Sequence, residues 1–377
     1  MLKRVYIDNY RCFVNFELEL GSYQLVMGLN GTGKSTLLGV LESLRSLLIE
    51  GAPLSEVFPQ NTRTRWQTLP TQTFELGVEL DGDRYDLLLQ MDIWGSPGRT
   101  RIIREDVSCN GHPVFSFVSG EVNLFNERFE RKVQYPFDWF RSALSTQESR
   151  PENKKLMRFK GWLASVYCLR IDPKGMVGRT EKETSRPSSD MDDFASWYRH
   201  LTQENGGAAG ELQSLLRSVL PGFESLDSRL VGGEVRMLSA RFEPVPSVPK
   251  SGFSVGFEEL SDGQRALICM YALLIFLVEG STCLFIDEPE NFVALPELQP
   301  WLQRLGDRIE DRGGQVTLFS HHPEMIDYLA AERGIFFERV GSGPIRAHRY
   351  RHDDEQSLRL SELIARGWVG PTMEVRD

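Results

Sequence analysis

At 377 residues, with 41% hydrophobic and 25% charged side chains, the chain has a globular composition and is long enough for one large core with insertions or for two lobes. A formal charge of −10 argues against nonspecific nucleic-acid binding by the whole surface, though not against a local basic groove. The five cysteines (Cys12, Cys109, Cys168, Cys269, Cys283) are scattered without a C-x-x-C pair. Neither a disulfide framework nor a zinc site is expected, and a reducing cytoplasm fits.

Met1 to Asp8 lacks the long apolar stretch of a signal peptide. The segment from Arg4 to Leu20 alternates like a strand pair, with Val5, Ile7, Phe13, Phe16, Leu18 and Leu20 apolar. Tyr23 to Met27 reads as a short apolar strand. It leads into Gly28-Leu29-Asn30-Gly31-Thr32-Gly33-Lys34-Ser35-Thr36, a full G-x-x-x-x-G-K-[ST] phosphate-binding loop. From Thr36 to Leu48, Leu37, Leu38, Val40, Leu41, Leu44, Leu47 and Leu48 recur at helical spacing. Strand, glycine loop and helix are the context the motif requires, so a plain Gly-rich turn is the weaker reading. Backbone N–H groups and the helix dipole would hold the phosphates, with Lys34 on the β- and γ-phosphates and Ser35 on Mg²⁺. The chain is expected to bind a nucleoside triphosphate.

Phe74 to Leu80 and Tyr85 to Gln90 flank Asp81-Gly82-Asp83, a strong hairpin signal, and short strands broken at Asn110-Gly111 follow over residues 100 to 124. An antiparallel lobe beside a parallel core is expected. Residues 125 to 162 mix basic side chains (Arg128, Lys132, Lys154, Lys155, Arg158) with aromatic ones (Phe129, Tyr135, Trp139, Phe159, Trp162). A nucleic-acid groove wants this mixture. The interleaved acids, Glu127, Glu130 and Asp138 among them, favour an amphipathic helical surface instead. Arg179 to Asp190 reads as a mobile loop, with helices at 191–203 and 209–220 and strands at 228–235 and 238–242.

Leu260-Ser261-Asp262-Gly263-Gln264-Arg265 carries a capping box, Ser261 with Gln264, ahead of the apolar run Ala266 to Val278. That run has 13 residues, too short to span a bilayer, and reads as a buried helix. Cys283 to Ile286 is an apolar strand ending in Asp287, Glu288 and Pro289. Asp287 suits Mg²⁺ as a hard oxygen ligand, and Glu288 suits orienting and deprotonating an attacking water. Val316 to Phe319 runs into Ser320-His321-His322-Pro323. His321 could sense a γ-phosphate, while a surface or helix-capping histidine is the plainer alternative. Residues 334 to 350 read as a hairpin turning at Gly341-Ser342-Gly343, and 355 to 366 as a final helix.

Phosphate loop, L-S-D-G-Q-R, apolar strand with D-E, and strand with terminal histidine follow the order of the ABC ATPases. Ile7-Asp8-Asn9-Tyr10-Arg11-Cys12-Phe13 ahead of G-L-N-G-T-G-K-S-T resembles the start of the SMC and RecF-like members. The segments Ile286 to Asn291 and Phe319 to Glu324 look most like compact stand-alone prokaryotic AAA or OLD-like ATPases of phage-defence systems. The resemblance covers roughly 1–50 and 255–350. It implies an α/β ABC-ATPase head with a mostly parallel core sheet, an antiparallel β lobe and a helical insertion. The expected divisions are 1–95 (phosphate loop), 96–250 (β and helical lobe) and 251–377 (signature, Asp287-Glu288 and His321).

Carried across, the resemblance places Arg11 near the phosphates or base and Asn30 in shaping the loop, with Gly31, Thr32, Gly33, Lys34, Ser35 and Thr36 holding ATP. Ser261, Gly263 and Gln264 would cover the γ-phosphate held by a second subunit, giving an ATP-dependent homodimer, with further assembly left open. Gln147 is the candidate for a glutamine that touches Mg²⁺. No long coiled coil separates the halves, and no TOPRIM-like nuclease domain follows His321, so the resemblance implies a separately encoded effector, a nuclease or toxin. The alternative is a DNA-binding repair ATPase without an effector. A membrane transporter's ATPase is disfavoured by the SMC-like N-terminus.

Overall fold

The computed structural model describes residues 1–94, 99–244, 252–339, 341–350 and 359–366. They divide into two units, each built from discontinuous segments. The first holds Met1–Cys168, Ser281–Phe285 and the described residues from His321 onward; the second holds Leu169–Gly280 and Ile286–Ser320.

In the first unit β1 (Leu2–Asp8) pairs antiparallel with β2 (Phe16–Glu19), Val5 opposite Leu18 and Ile7 opposite Phe16. The alternation seen in the sequence is thus a pleat with one buried face. β3 (Tyr23–Met27) is buried throughout. After the phosphate loop, α1 (Lys34–Arg45) continues through a π turn at Ser46–Glu50, and its leucine stripe is buried. α2 (Leu54–Val57) precedes β4 (Gln72–Leu80), β5 (Asp83–Trp94), β6 (Arg99–Cys109), β7 (His112–Val118), β8 (Glu121–Phe125) and β9 (Arg131–Pro136). With β1 and β2 these form one eight-stranded antiparallel sheet in the order β2-β1-β4-β5-β6-β7-β8-β9. Its two-residue turns are Asp81-Gly82 (φ 51° and 85°), Asn110-Gly111 (φ 51° and 78°) and Ser119-Gly120 (φ 52° and 85°). Two-residue hairpins that match strand twist need positive φ at both positions, which these pairs tolerate. α3 (Lys154–Ala164) buries Leu156, Phe159, Trp162 and Leu163, and β10 (Val166–Arg170) follows.

The second unit contains β11 (Arg179–Thr180), α4 (Phe194–Glu204), α5 (Gly206–Val219), β12 (Phe223–Gly232), β13 (Val235–Phe242) and β14 (Phe253–Gly256). β13 lies between β11 and β12 and also pairs with β14. The segment read as a loop after Arg179 is therefore anchored: Arg179 and Thr180 pair with Met237 and Arg236, and the Thr180 and Ser196 hydroxyls lie 2.8 Å apart. α6 (Asp262–Leu277) buries residues around its whole circumference, as a helix lacking a polar face must.

β15 (Gly280–Asp287) begins in the second unit, passes through the first and ends back in the second. In the first unit the Cys283 amide donates to the Ser165 carbonyl at 3.1 Å. In the second, α7 (Leu295–Arg312) packs on α6: the Trp301 indole donates to the Met270 carbonyl at 2.9 Å, and Arg308 donates to the Ile275 carbonyl at 2.7 Å. That arginine satisfies a carbonyl in the last turn of α6. β16 (Gly313–Ser320) is almost wholly buried. Back in the first unit come α8 (Pro323–Arg333), β17 (Gly334–Arg339), β18 (Ile345–Arg349) and α9 (Leu360–Ala365). β17 runs parallel to β3 and antiparallel to β18, so the expected hairpin also carries the parallel core. The final helix begins at Leu360; residues 355–358 of the expected helix lie outside the described residues.

Candidate functional site

The phosphate loop joins the end of β3 to α1. A Cβ on Gly28 would stand 2.6 Å from the Phe337 carbonyl oxygen and 2.7 Å from Thr32 Oγ1, so the β17 backbone admits only glycine there. Gly31 and Gly33 adopt φ of 81° and 90°, the left-handed region that turns successive N–H groups toward one side. Thr32 donates its amide (3.3 Å) and hydroxyl (2.7 Å) to the Leu29 carbonyl. Lys34, only 7% exposed, reaches back across the loop and donates to the carbonyls of Gly28 at 2.6 Å and Leu29 at 3.2 Å. The ammonium is thereby fixed over the loop rather than swinging on its stem. No acidic residue lies in the first turn of α1, so the positive end of its dipole is not opposed locally. Asn30, Gly31 and Ser35 are exposed, and Thr36 is half-buried.

The loop before β2 packs against this site. Asn9 and Arg11 adopt φ of 59° and 48°, Tyr10 and Phe13 bridge each other, and the Arg11 amide donates to the Thr62 carbonyl at 2.6 Å. The Asn9 amide group donates to Leu69 and Thr71 carbonyls, both at 2.8 Å. Phe13 and Cys12 lie 3.1 and 3.2 Å from where a Cβ on Gly33 would stand. Burial pushes the Cys12 thiol up, so it packs as a neutral group. Arg11 is thus carried, exposed, on a turn that touches the phosphate loop.

The carboxylates sit in the second unit. Asp287 ends β15 at 7% exposure, while Glu288 turns out of the strand with φ 50°. The Glu288 amide donates to the Phe319 carbonyl of β16 at 2.8 Å. Its carboxylate accepts from the Asn291 amide group at 3.0 Å and lies 3.9 Å from the Arg170 guanidinium. Glu290, buried, accepts from the Ser320 hydroxyl. The two neighbours differ in exposure, Asp287 buried and Glu288 partly exposed.

Ser261 caps α6 through a complete capping box. Its hydroxyl accepts from the Gln264 amide at 3.2 Å, and the Gln264 side chain accepts from the Ser261 amide at 3.1 Å. Asp262 pairs with the buried Arg265 at 2.6 Å, and Arg265 also donates to the Met176 carbonyl at 3.3 Å. Ser261 itself is exposed and Gly263 half-buried. A Cβ on Gly263 would stand 2.9 Å from the Phe292 carbonyl oxygen, so the start of α6 abuts the turn that follows Glu288.

Gln147 donates to Ala143 O, Tyr135 Oη and Thr146 Oγ1 in the turn after β9. Ser145 of that turn touches Gly51, which follows α1 and its π turn, an element of about 25 Å beginning at the phosphate loop. The structure therefore puts Gln147 at the opposite end of α1 from Ser35. His321 is exposed after β16, and it is His322 that caps α8, its Nδ1 accepting from the Glu324 amide at 3.3 Å. In the basic segment, Lys155 pairs with Glu127 (3.1 Å), Lys132 with Glu130 (3.3 Å) and Arg158 with Asp83 (3.3 Å). Two of these three pairs use acids from within the segment. Arg170 and Cys12 as site neighbours were not read from the sequence; both depend on contacts between distant segments.

Residues 1–155 match the family described as the AAA ATPase domain. A solved SMC head bound to the C-winged helix domain of ScpA is 10% identical, with a TM-score of 0.56, covering 92% of this chain and 98% of that one. The fold is that of an SMC head domain. An SMC head domain from Thermotoga maritima is also similar, at 12% identity and a TM-score of 0.49, with 93% of this chain and 99% of that one covered. No curated protein sequence matches the chain. Among the described residues, no helix is long and apolar enough to cross a membrane.

Proposed function

We propose that this ATPase head binds ATP with Mg²⁺ and hydrolyses it, two chains closing around two nucleotides. The observation that carries the reading is the phosphate loop, with glycine enforced at Gly28 by the β17 backbone and Lys34 clamped over the loop by two carbonyls. Gly31, Thr32, Gly33 and Lys34 hold the β- and γ-phosphates, and Thr36 lies next along the helix. Asn30 shapes the loop, and Arg11 approaches from the adjoining turn.

Magnesium is proposed to take Ser35 and Asp287 as its protein oxygens. A nucleotide-bound Mg²⁺ takes one or two protein oxygens beside phosphate and water. Ser35 offers an exposed hydroxyl at the start of α1, and Asp287 a carboxylate at the end of β15. Such an ion neutralises charge on the phosphate oxygens. Glu288, steadied by Asn291, takes a proton from the attacking water. The water oxygen bonds to the γ-phosphorus as the bond to the ADP oxygen breaks, and His321 is the candidate contact to the γ-phosphate. The exposed cap of α6, with Ser261, Gly263 and Gln264, is proposed to meet the nucleotide of the opposite chain.

Two substitutions test this. Lys34→Ala should abolish magnesium-dependent phosphate release, and Glu288→Gln should accumulate ATP-bound dimers by light scattering. A Glu288→Gln protein that stays monomeric at every nucleotide concentration would sink the sandwich.

The reading extends to control of a separately encoded effector, a nuclease or toxin in phage defence or DNA maintenance, in the cytoplasm. It is supported by the resemblance to compact stand-alone ATPases, and by an SMC head of the same fold being bound to a domain of another protein. The native chain should then co-purify with a partner whose occupancy changes between ADP and ATP.

A further inference from the structure

We propose that the exposed indole of Trp66, with Arg339 over it, is the surface on which the base of the bound nucleotide lies. The inference rests on the ATP-binding reading above. Tryptophan is usually well buried, yet Trp66 is 48% exposed, and Leu69, three residues on in the chain, is 60% exposed. Its backbone is nonetheless held. Thr62 O accepts from the Arg11 amide at 2.6 Å, Arg63 bridges to Tyr10, and the Thr64 hydroxyl donates to the Phe13 carbonyl at 3.4 Å. These partners, Tyr10 to Phe13, are the turn that packs against Gly33.

Arg339 is held as well. It donates to the carbonyls of Gly343 at 3.0 Å and Ser342 at 3.3 Å, and its guanidinium lies 5.7 Å from the Trp66 ring centroid. A cation over one side and open surface elsewhere make an indole a stacking platform rather than a core residue.

The direction of the nucleotide points the same way. With Lys34 on the β- and γ-phosphates, the α-phosphate falls to the backbone beyond Ser35, and the nucleoside leaves the loop past Thr36. Cys12, which packs against the loop at Gly33, accepts at its carbonyl from the Ile345 amide at 3.2 Å, and Ile345 pairs with Arg339 across β17 and β18. The base is therefore delivered to the side of the loop where Arg11, Arg339 and Trp66 stand.

Titration of ATP and of inorganic tripolyphosphate, each with magnesium, onto the full chain tests this. Trp66→Ala should weaken ATP about tenfold or more, the size of a lost base–aromatic stack. It should leave tripolyphosphate binding as in wild type, and Trp66→Phe should restore most of the ATP affinity. If Trp66→Ala binds ATP as wild type does, or loses tripolyphosphate in the same proportion, the base does not lie there. Wild-type protein that binds neither ligand, or Lys34→Ala protein that binds both normally, would overturn the phosphate-loop reading itself and this inference with it.

Discussion

Glu105 lies fully buried on β6, where the Ser142 hydroxyl donates to one carboxylate oxygen at 2.5 Å and the Ala143 and Leu144 amides donate to the other at 2.9 and 3.4 Å. Burial outweighs these bonds and pushes its pKa up to about 7, with Asp106 adding to the rise. The folded chain therefore binds this proton more tightly than the unfolded chain, so stability falls as pH rises from about 4.5 toward 7. The fall amounts to about 3 kcal/mol. Lys160 faces the same turn, donating to Leu144, Ser145 and Gln147 carbonyls. Glu105→Gln should flatten the dependence of the denaturant midpoint between about pH 5 and pH 8 relative to wild type. A variant as pH-dependent as wild type would show that Glu105 does not titrate in this range. The sequence could not reveal this residue, because a Glu in an alternating strand carries no sign of which face is buried or what turn covers it. Lys34 and Ser35 were legible because their setting is local: strand, loop and helix are contiguous. Gln147 was misread for the opposite reason, since its distance from Ser35 is set by where a turn after β9 meets Gly51.

At the level of elements, α6 and the turn after Glu288 behave as one piece. Ser261 and Gln264 close the helix start, and Gly263 leaves room for the Phe292 carbonyl, itself in a residue with φ 72°. An alanine methyl at Gly263 would meet that carbonyl at 2.9 Å and push it away, carrying the Glu288–Asn291 turn with it. Gly263→Ala should lower kcat by about a hundredfold, the scale of an ångström-sized misplacement of a catalytic group. Its stability cost should stay within about 1–3 kcal/mol. Unchanged turnover would separate the α6 start from the catalytic turn. The same helix shows what sequence reading does well. Its 13-residue apolar run has no polar face to expose, and its cap residues are three apart, so both its burial and its start were plain. The Asp81-Gly82 and Asn110-Gly111 hairpins were equally plain, because their backbone conformation selects those residues. The pairing of Arg179 and Thr180 with β13 was not, since a two-residue strand has no period to detect.

For the molecule as a whole, the decisive question is whether one chain can complete its own site. The α6 cap is exposed at Ser261, which suits a contact made by a second copy. If that contact covers the partner's γ-phosphate, Lys34→Ala chains are dead in their own loop and Ser261→Arg chains are dead in the cap they offer. In a mixed dimer, the intact loop of the Ser261→Arg chain faces the intact cap of the Lys34→Ala chain, and one composite site is whole. Mixing two inactive proteins should then restore part of the ATPase activity, rising with the product of their concentrations. Should the two sites fire only together, activity stays absent while mixed dimers still form on ATP. A bulky cation at the helix start blocks the close approach that a γ-phosphate needs, which is why Ser261→Arg is the sharper choice than alanine. Purified Ser261→Arg protein that hydrolyses ATP at the wild-type rate, independent of its concentration, would place catalysis within a single chain.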